Sequence, residues 1–267
     1  MAWILCGSSA HLATSSRQQL SIWFDSTAGQ RLVAEQQELL HECARRFHGD
    51  ALLWVGCHTP LVNTVRGCMV RHHLAMAPAS DDEGNELACF SADVHELPLP
   101  NGCLDAVILH HALETAEDPR TAIREIARVL TPGGRLVVCG FNPLSLWGVR
   151  GAYASVITDS FSGLRFVNPV RLLDWLTVLG FERQDEVKYL AYGLPFARGG
   201  SDAKMWRKLR NLLTRHQLPI GGVYLLSAVK QALANLPEAP RQRLRRAKLA
   251  PVAYPKLSSW NRTERPG

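Results

Sequence analysis

One ordered stretch near the middle constrains this chain more than any other feature. LDAVILH (104–110) is a continuous apolar run of strand length, and Asp118-Pro119 then supplies an N-cap and a first-turn proline. Ile123, Ile126, Ala127 and Leu130 follow at helical spacing, Thr131-Pro132-Gly133-Gly134 stops the helix, and RLVVCGF (135–141) is a second apolar run. Strands that read as continuously apolar are buried on both faces, and strands alternating with helices build a parallel sheet. The stretch therefore predicts an α/β sheet layered by helices on each side, with ligands at the carboxyl ends of its strands.

The flanking segments extend the same pattern. QRLVAEQQELLHECARRF (30–47) places Leu32, Leu39, Leu40, Cys43 and Phe47 near helical spacing before Gly49. ALLWVGCHTP (51–60) reads as a first buried strand running into a loop marked by Gly56 and Pro60, MVRHHLAM (69–76) as a second, and LACFSAD (87–93) as a third, with 104–110 and 135–141 the fourth and fifth. Asn168-Pro169 repeats the capping device ahead of Leu172, Leu173, Trp175, Leu176 and Leu179, and Gly180 ends that helix. A sixth strand is expected across 181–192 and a seventh in VYLLSAVK (223–230). The residues between them, 194–222, are too long for a hairpin loop and carry the basic stretch KMWRKLRNLLTR, an insertion before the last strand. Residues 231–267 are rich in Pro and Arg and read as a basic, disordered tail.

Composition narrows the class further. Of 267 residues, 46% are hydrophobic and 20% charged, a globular balance, and no apolar run approaches the roughly 18–20 residues that a membrane-spanning helix requires. MAWILCGSSA makes a poor signal peptide, so a cytoplasmic location is expected. The seven cysteines are odd in number and contain no C-x-x-C pair, which argues for reduced thiols and against a disulfide framework or a zinc site; no metal is expected. The net charge of +6 is unevenly spread: residues 1–193 hold 15 Lys and Arg against 21 Asp and Glu, whereas 194–267 hold 15 against 3. Excess positive charge confined to the C-terminal part points to an anionic substrate or partner there.

Residues 90–138, FSADVHELPLPNGCLDAVILHHALETAEDPRTAIREIARVLTPGGRLVV, resemble the middle of a class I (Rossmann-like) S-adenosylmethionine-dependent methyltransferase, of the type 11 kind. WFDSTAGQRL (23–32) and GFNPLSLWGVRG (140–151) resemble a proteobacterial subgroup of these enzymes, the YafS-like proteins. The resemblance implies a doubly wound, mostly parallel sheet of seven strands with the last antiparallel. It implies a methyltransferase domain over 30–230, preceded by an N-terminal segment (1–29), with 194–222 as a basic insertion or lid. The cofactor implied is S-adenosyl-L-methionine, and the acceptor an unidentified small molecule.

The same resemblance distributes roles. Asp93 and the amide of Val94 match the adenine-contacting position, and Gly56 and Cys57 the loop that admits the methionine portion. The chain departs from the family in several places. Trp54 replaces an acidic residue, His58 and Pro60 stand where glycines are usual, and the ribose-binding acid is missing at Met76–Ala77, with Asp81 or Asp82 as substitutes. His58 either contacts the cofactor or narrows the site against it. His110 and His111 sit at the end of the fourth strand, His110 toward the cofactor and His111 toward substrate; strand alternation allows only one of them into the cleft. Phe141, Asn142 and Trp147 are candidates for a substrate entrance, and no catalytic residue is assigned.

Two function classes compete. One is methyl transfer; the other is a methyltransferase-like binding or scaffold module whose degenerate loop supports no catalysis. Nicotinamide-dependent oxidation is excluded by the lack of G-x-G-x-x-G after the first strand. The basic insertion and tail admit contact with nucleic acid or an anionic membrane surface as well as with substrate.

Overall fold

A computed structural model describes residues 16–56, 65, 67–76, 88–145, 147–149, 161, 163–190 and 221–232. All lie in the first of two units, Met1–Leu233; the second, Ala234–Gly267, falls outside the described residues. So do most of the expected basic insertion and the substitute acids Asp81 and Asp82.

The described elements run α1 (16–25), α2 (Thr27–Ala44), β1 (His48–Gly56), β2 (Met69–Met76), β3 (Ala88–Phe90), β4 (Leu104–His110), α3 (Pro119–Val129), β5 (Leu130–Phe141), α4 (Pro169–Val178), β6 (Phe181–Arg183), β7 (Lys188–Leu190) and β8 (Val223–Lys230). The sheet order is β3-β2-β1-β4-β5-β8-β6, with β7 also paired to β8. β1 to β5 pair parallel and β8 runs antiparallel to each of its neighbours. The parallel β1 to β5 are what the apolar runs predict, and the antiparallel β8 is what the resemblance implies. The expected sixth strand splits in two because the polar residues Gln184, Asp185 and Glu186 interrupt the apolar pattern, and Arg46 from beyond α2 ion-pairs with Asp185 there.

Alternation along the strands sorts the core into two layers. Leu52, Trp54, Ala106, Ile108, Val137 and Cys139 face α1 and α2, while Leu53, Val55, Val107, Leu109, Leu136 and Val138 face α3 and α4. α1 belongs to this core: Leu20, Trp23 and Phe24 are buried against the sheet, although the sequence places them in a segment ahead of the domain. Ser26 separates α1 from α2, caps α2 by accepting from Gly29 N–H (3.2 Å), and donates to the Trp23 carbonyl (2.6 Å). Among the described residues no helix is long and apolar enough to cross a membrane.

Both Asx-Pro signals act as read. Asp118 caps α3, accepting from Arg120 N–H (3.0 Å) and Thr121 Oγ1 (2.7 Å), and Asn168 caps α4 through Val170 N–H (2.9 Å). Asp118→Ala is expected to cost about 1 kcal/mol in thermal or urea unfolding, the usual loss for an N-cap. The Thr131-Pro132-Gly133-Gly134 stop falls inside β5 rather than before it. Gly133 adopts φ +80°, and a Cβ on Gly134 would lie 2.8 Å from Leu130 Cγ and the Thr131 carbonyl, so the turn requires glycine at both positions.

Candidate active site

Register places the candidate residues. Gly56 pairs with His110 and His110 with Cys139, so the ends of β1, β4 and β5 form one row at the carboxyl edge of the sheet. Side chains on paired residues of parallel neighbours share a face, which puts His110 and Cys139 with Trp54 on the layer of α1 and α2.

Alternation would send His111 to the opposite layer, and the structure corrects that expectation. His111 has φ +51°, a left-handed conformation that non-glycine residues adopt at a cost, while its N–H still bonds to the Cys139 carbonyl (2.9 Å). The turn brings its ring back to the same side, where the two imidazoles meet edge to face at 4.8 Å and both are fully buried. Both histidines enter the site.

A polar network fixes them. Gln36 of α2 reaches in with its carboxamide: Oε1 lies 2.9 Å from His110 Nε2, and Nε2 lies 2.8 Å from His111 Nε2 and 3.4 Å from Cys139 Sγ. On the other side of His111, Nδ1 is 3.0 Å from Glu114 Oε1, which also accepts from Phe141 N–H (2.7 Å). Glu114 is 2% exposed and its second oxygen, Oε2, has no hydrogen-bond partner. Burial pushes the Cys139 thiol well above the ordinary range, with the Glu114 charge adding to the effect. Gln36, Glu114 and Cys139 are absent from the sequence-based assignment. Glu114 lies three residues after His111, but no helix spans that interval to make the spacing meaningful.

An aromatic layer covers the network. Phe24 contacts both imidazoles (5.3 and 5.2 Å), and Phe141 approaches His111 (4.3 Å) and stacks on Trp147 (5.5 Å). Trp23 and Phe161 close over Trp147 at 5.4 Å each. Asn142 is tied down: its N–H and Nδ2 donate to the carbonyls of Gly222 (3.0 Å) and Gly221 (2.9 Å), and its Oδ1 accepts from Leu144 N–H (3.1 Å). Phe141, Asn142 and Trp147 are all buried, so they form the floor and wall of this end of the sheet, enclosed beneath α1.

The cofactor-binding residues assigned from the sequence stand farther along the edge. Asp93 follows β3, bridges to Glu96, and keeps its carboxylate 65% exposed. Burial acts to raise its pKa, but hydrogen bonds from the His95 N–H (2.9 Å) and imidazole (2.5 Å) outweigh that and hold it below the usual carboxylate range. The Val94 side chain is buried. A Cβ on Gly56 would lie 2.9 Å from the His110 carbonyl and from Trp54 Nε1, so no other residue fits there. Trp54 stacks on His110 (5.4 Å), and its buried Nε1 donor has no partner. An accessible ionised carboxylate after β3, a bare backbone after β1, and a free indole donor beside it fit the adenine and amino-acid ends of S-adenosylmethionine. Cys57 and His58 lie outside the described residues.

Comparison with known proteins agrees with this fold. Residues 61–138 match the family model described as a methyltransferase domain. The Escherichia coli (strain K12) protein YafS is 28% identical over 79% of this chain and 81% of its own length. A malonyl-[acyl-carrier protein] O-methyltransferase of Halorhodospira halophila is 32% identical over 49% of this chain, but the match spans only 47% of that protein. Among solved structures, geranyl diphosphate C-methyltransferase from Streptomyces coelicolor A3(2), in complex with Mg2+, geranyl diphosphate and S-adenosyl-L-homocysteine, superposes with a TM-score of 0.51 at 18% identity, over 76% of this chain and 80% of that one.

Proposed function

We propose, from the premise that this chain belongs to the class I S-adenosylmethionine-dependent methyltransferases, that it methylates a small, anionic organic acceptor at the carboxyl edge of β4 and β5. The observation that carries the reading is the enclosure of that edge. Phe24, Phe141, Trp147 and the two imidazoles pack into a buried layer at that end of the sheet, so none of these five side chains offers an exposed surface to a macromolecule. The surplus of 12 positive charges in residues 194–267 supports an anionic acceptor.

In the proposed complex Asp93 accepts from the adenine amine and the Val94 N–H donates to the ring. Gly56 lets the chain approach closely, the resemblance adds Cys57 and His58, and Trp54 Nε1 supplies a donor to the amino-acid end. His110 acts beneath them, holding the Trp54 indole by stacking. When bound, S-adenosylmethionine supplies an electrophilic methyl on a sulfonium whose departure as a neutral thioether needs no acid. The protein therefore contributes position and exclusion of water, effects worth about 7–11 kcal/mol when two reactants are held in line.

The direct test follows thermal stability during titration with S-adenosylmethionine and S-adenosylhomocysteine. Ligand at 100 times its dissociation constant should add about 2.7 kcal/mol. Asp93→Ala should weaken binding at least about tenfold, since a hydrogen bond to a charged group is worth roughly 1.5–3 kcal/mol. No shift with either compound at millimolar concentration would return the chain to the scaffold reading.

A further inference from the structure

We propose that His110, His111 and Cys139 form a buried site for one divalent transition-metal ion of the Zn2+ class, closed by the carboxamide of Gln36. The inference is independent of methyl transfer. The missing C-x-x-C pairs speak against a zinc site made of sequence neighbours, whereas these three residues are assembled by strand register and by the left-handed turn at His111.

Four observations converge. One ligating atom from each residue lies within 4.8 Å of the others, and all three residues are buried. Cys139 Sγ and His111 Nε2 are 4.0 Å apart, close to the roughly 3.5–3.8 Å that separates two ligands around a tetrahedral ion with bonds of about 2.0–2.3 Å. All three atoms also point at a single small group, because the Gln36 carboxamide lies 2.8 to 3.4 Å from each. Rotating its outer torsions clears the central position and offers Oε1 as the fourth ligand.

The outer shell has the form that metal-bound imidazoles use. His111 Nδ1 faces a buried carboxylate at 3.0 Å, which fixes the ring with Nε2 inward. Glu114 Oε2 is a buried oxygen without a hydrogen bond, a costly arrangement if the carboxylate has no other compensation. A divalent ion bound to the Cys139 thiolate and flanked by Glu114 gives a net charge of zero. The thiol proton leaves to solvent as the metal–sulfur bond forms, and no electron transfer is involved. Two imidazoles and a thiolate select Zn2+ over Mg2+ or Ca2+. With Gln36 as fourth ligand the site is closed, so the ion acts as a clamp holding α2 to the ends of β4 and β5.

Cobalt(II) reads this site directly. Reduced full-length protein titrated with Co2+ should develop a near-ultraviolet thiolate-to-cobalt band and tetrahedral visible bands at one equivalent, both erased by excess Zn2+. Cys139→Ser should abolish the near-ultraviolet band. Cys68→Ser should leave it intact, which separates this site from the Cys68–His73 pair (3.3 Å). Gln36→Glu, which places an anionic ligand in the same volume, should tighten Zn2+ binding at least tenfold and enlarge the rise in Tm that Zn2+ produces. A band that is absent, survives Cys139→Ser or disappears with Cys68→Ser overturns the proposal, as does a Gln36→Glu protein whose Tm ignores Zn2+.

Discussion

Glu114→Ala should lower the free energy of unfolding by about 3–5 kcal/mol. The substitution strands a buried donor, Phe141 N–H, at about 1–3 kcal/mol, and leaves His111 Nδ1 facing a void in a fully enclosed layer. The cavity adds a further term, since the surrounding rings are close-packed and relax only in part. Set against a total stability of 5–15 kcal/mol, that is a large fraction. Glu114→Gln keeps the volume and an acceptor for Phe141, and should cost less than about 1.5 kcal/mol. Urea denaturation decides the matter: the midpoint should fall with an unchanged slope. A loss below about 1 kcal/mol for the alanine variant would mean that the Glu114 network does not hold β4 to β5.

Trp147→Ala should cost about as much, roughly 3–5 kcal/mol, by a different route. Trp147 is 2% exposed and touches Trp23, Phe141 and Phe161. With Phe161, it packs on Trp23 and joins the segment after β5 to α1. Removing it should loosen both at once, so the near-ultraviolet circular dichroism should weaken while the far-ultraviolet signal of the sheet and its helices persists. A double-mutant cycle with Trp23→Ala should return a coupling of about 0.5–1.5 kcal/mol, the worth of an aromatic pair beyond its burial. Strict additivity would show that the two tryptophans only share a neighbourhood.

Much of the fold is legible along the chain because its signals are local. Asp118 and Asn168 cap their helices from within two or three residues, and the apolar runs of β1, β4, β5 and β8 carry their burial in their own composition. The edge strands are less legible. β6 and β7 have three residues each, too short for a period to register, and they exist as strands because β8 offers its edge to both. α1 is missed for a related reason. Its Trp23 and Phe24 lie next to each other, and only the site they cover shows why both are buried.

The site divides along the same line. Asp93 and Gly56 could be named from the family resemblance and the two histidines from their position at a strand end, since the carboxyl edge of a parallel sheet is where such folds bind ligands. Their arrangement could not. Alternation assigns His110 and His111 to opposite layers, and one backbone angle at His111 reverses that assignment. Gln36 and Cys139 are separated by 103 residues and look like ordinary helix and strand positions until α2 crosses the sheet above them. The sheet, its caps and the edge where chemistry belongs are readable along the chain, because burial, capping and period act between near neighbours. Which side chains converge there is not readable in that way, because register and a single left-handed residue set distances that no spacing along the chain encodes.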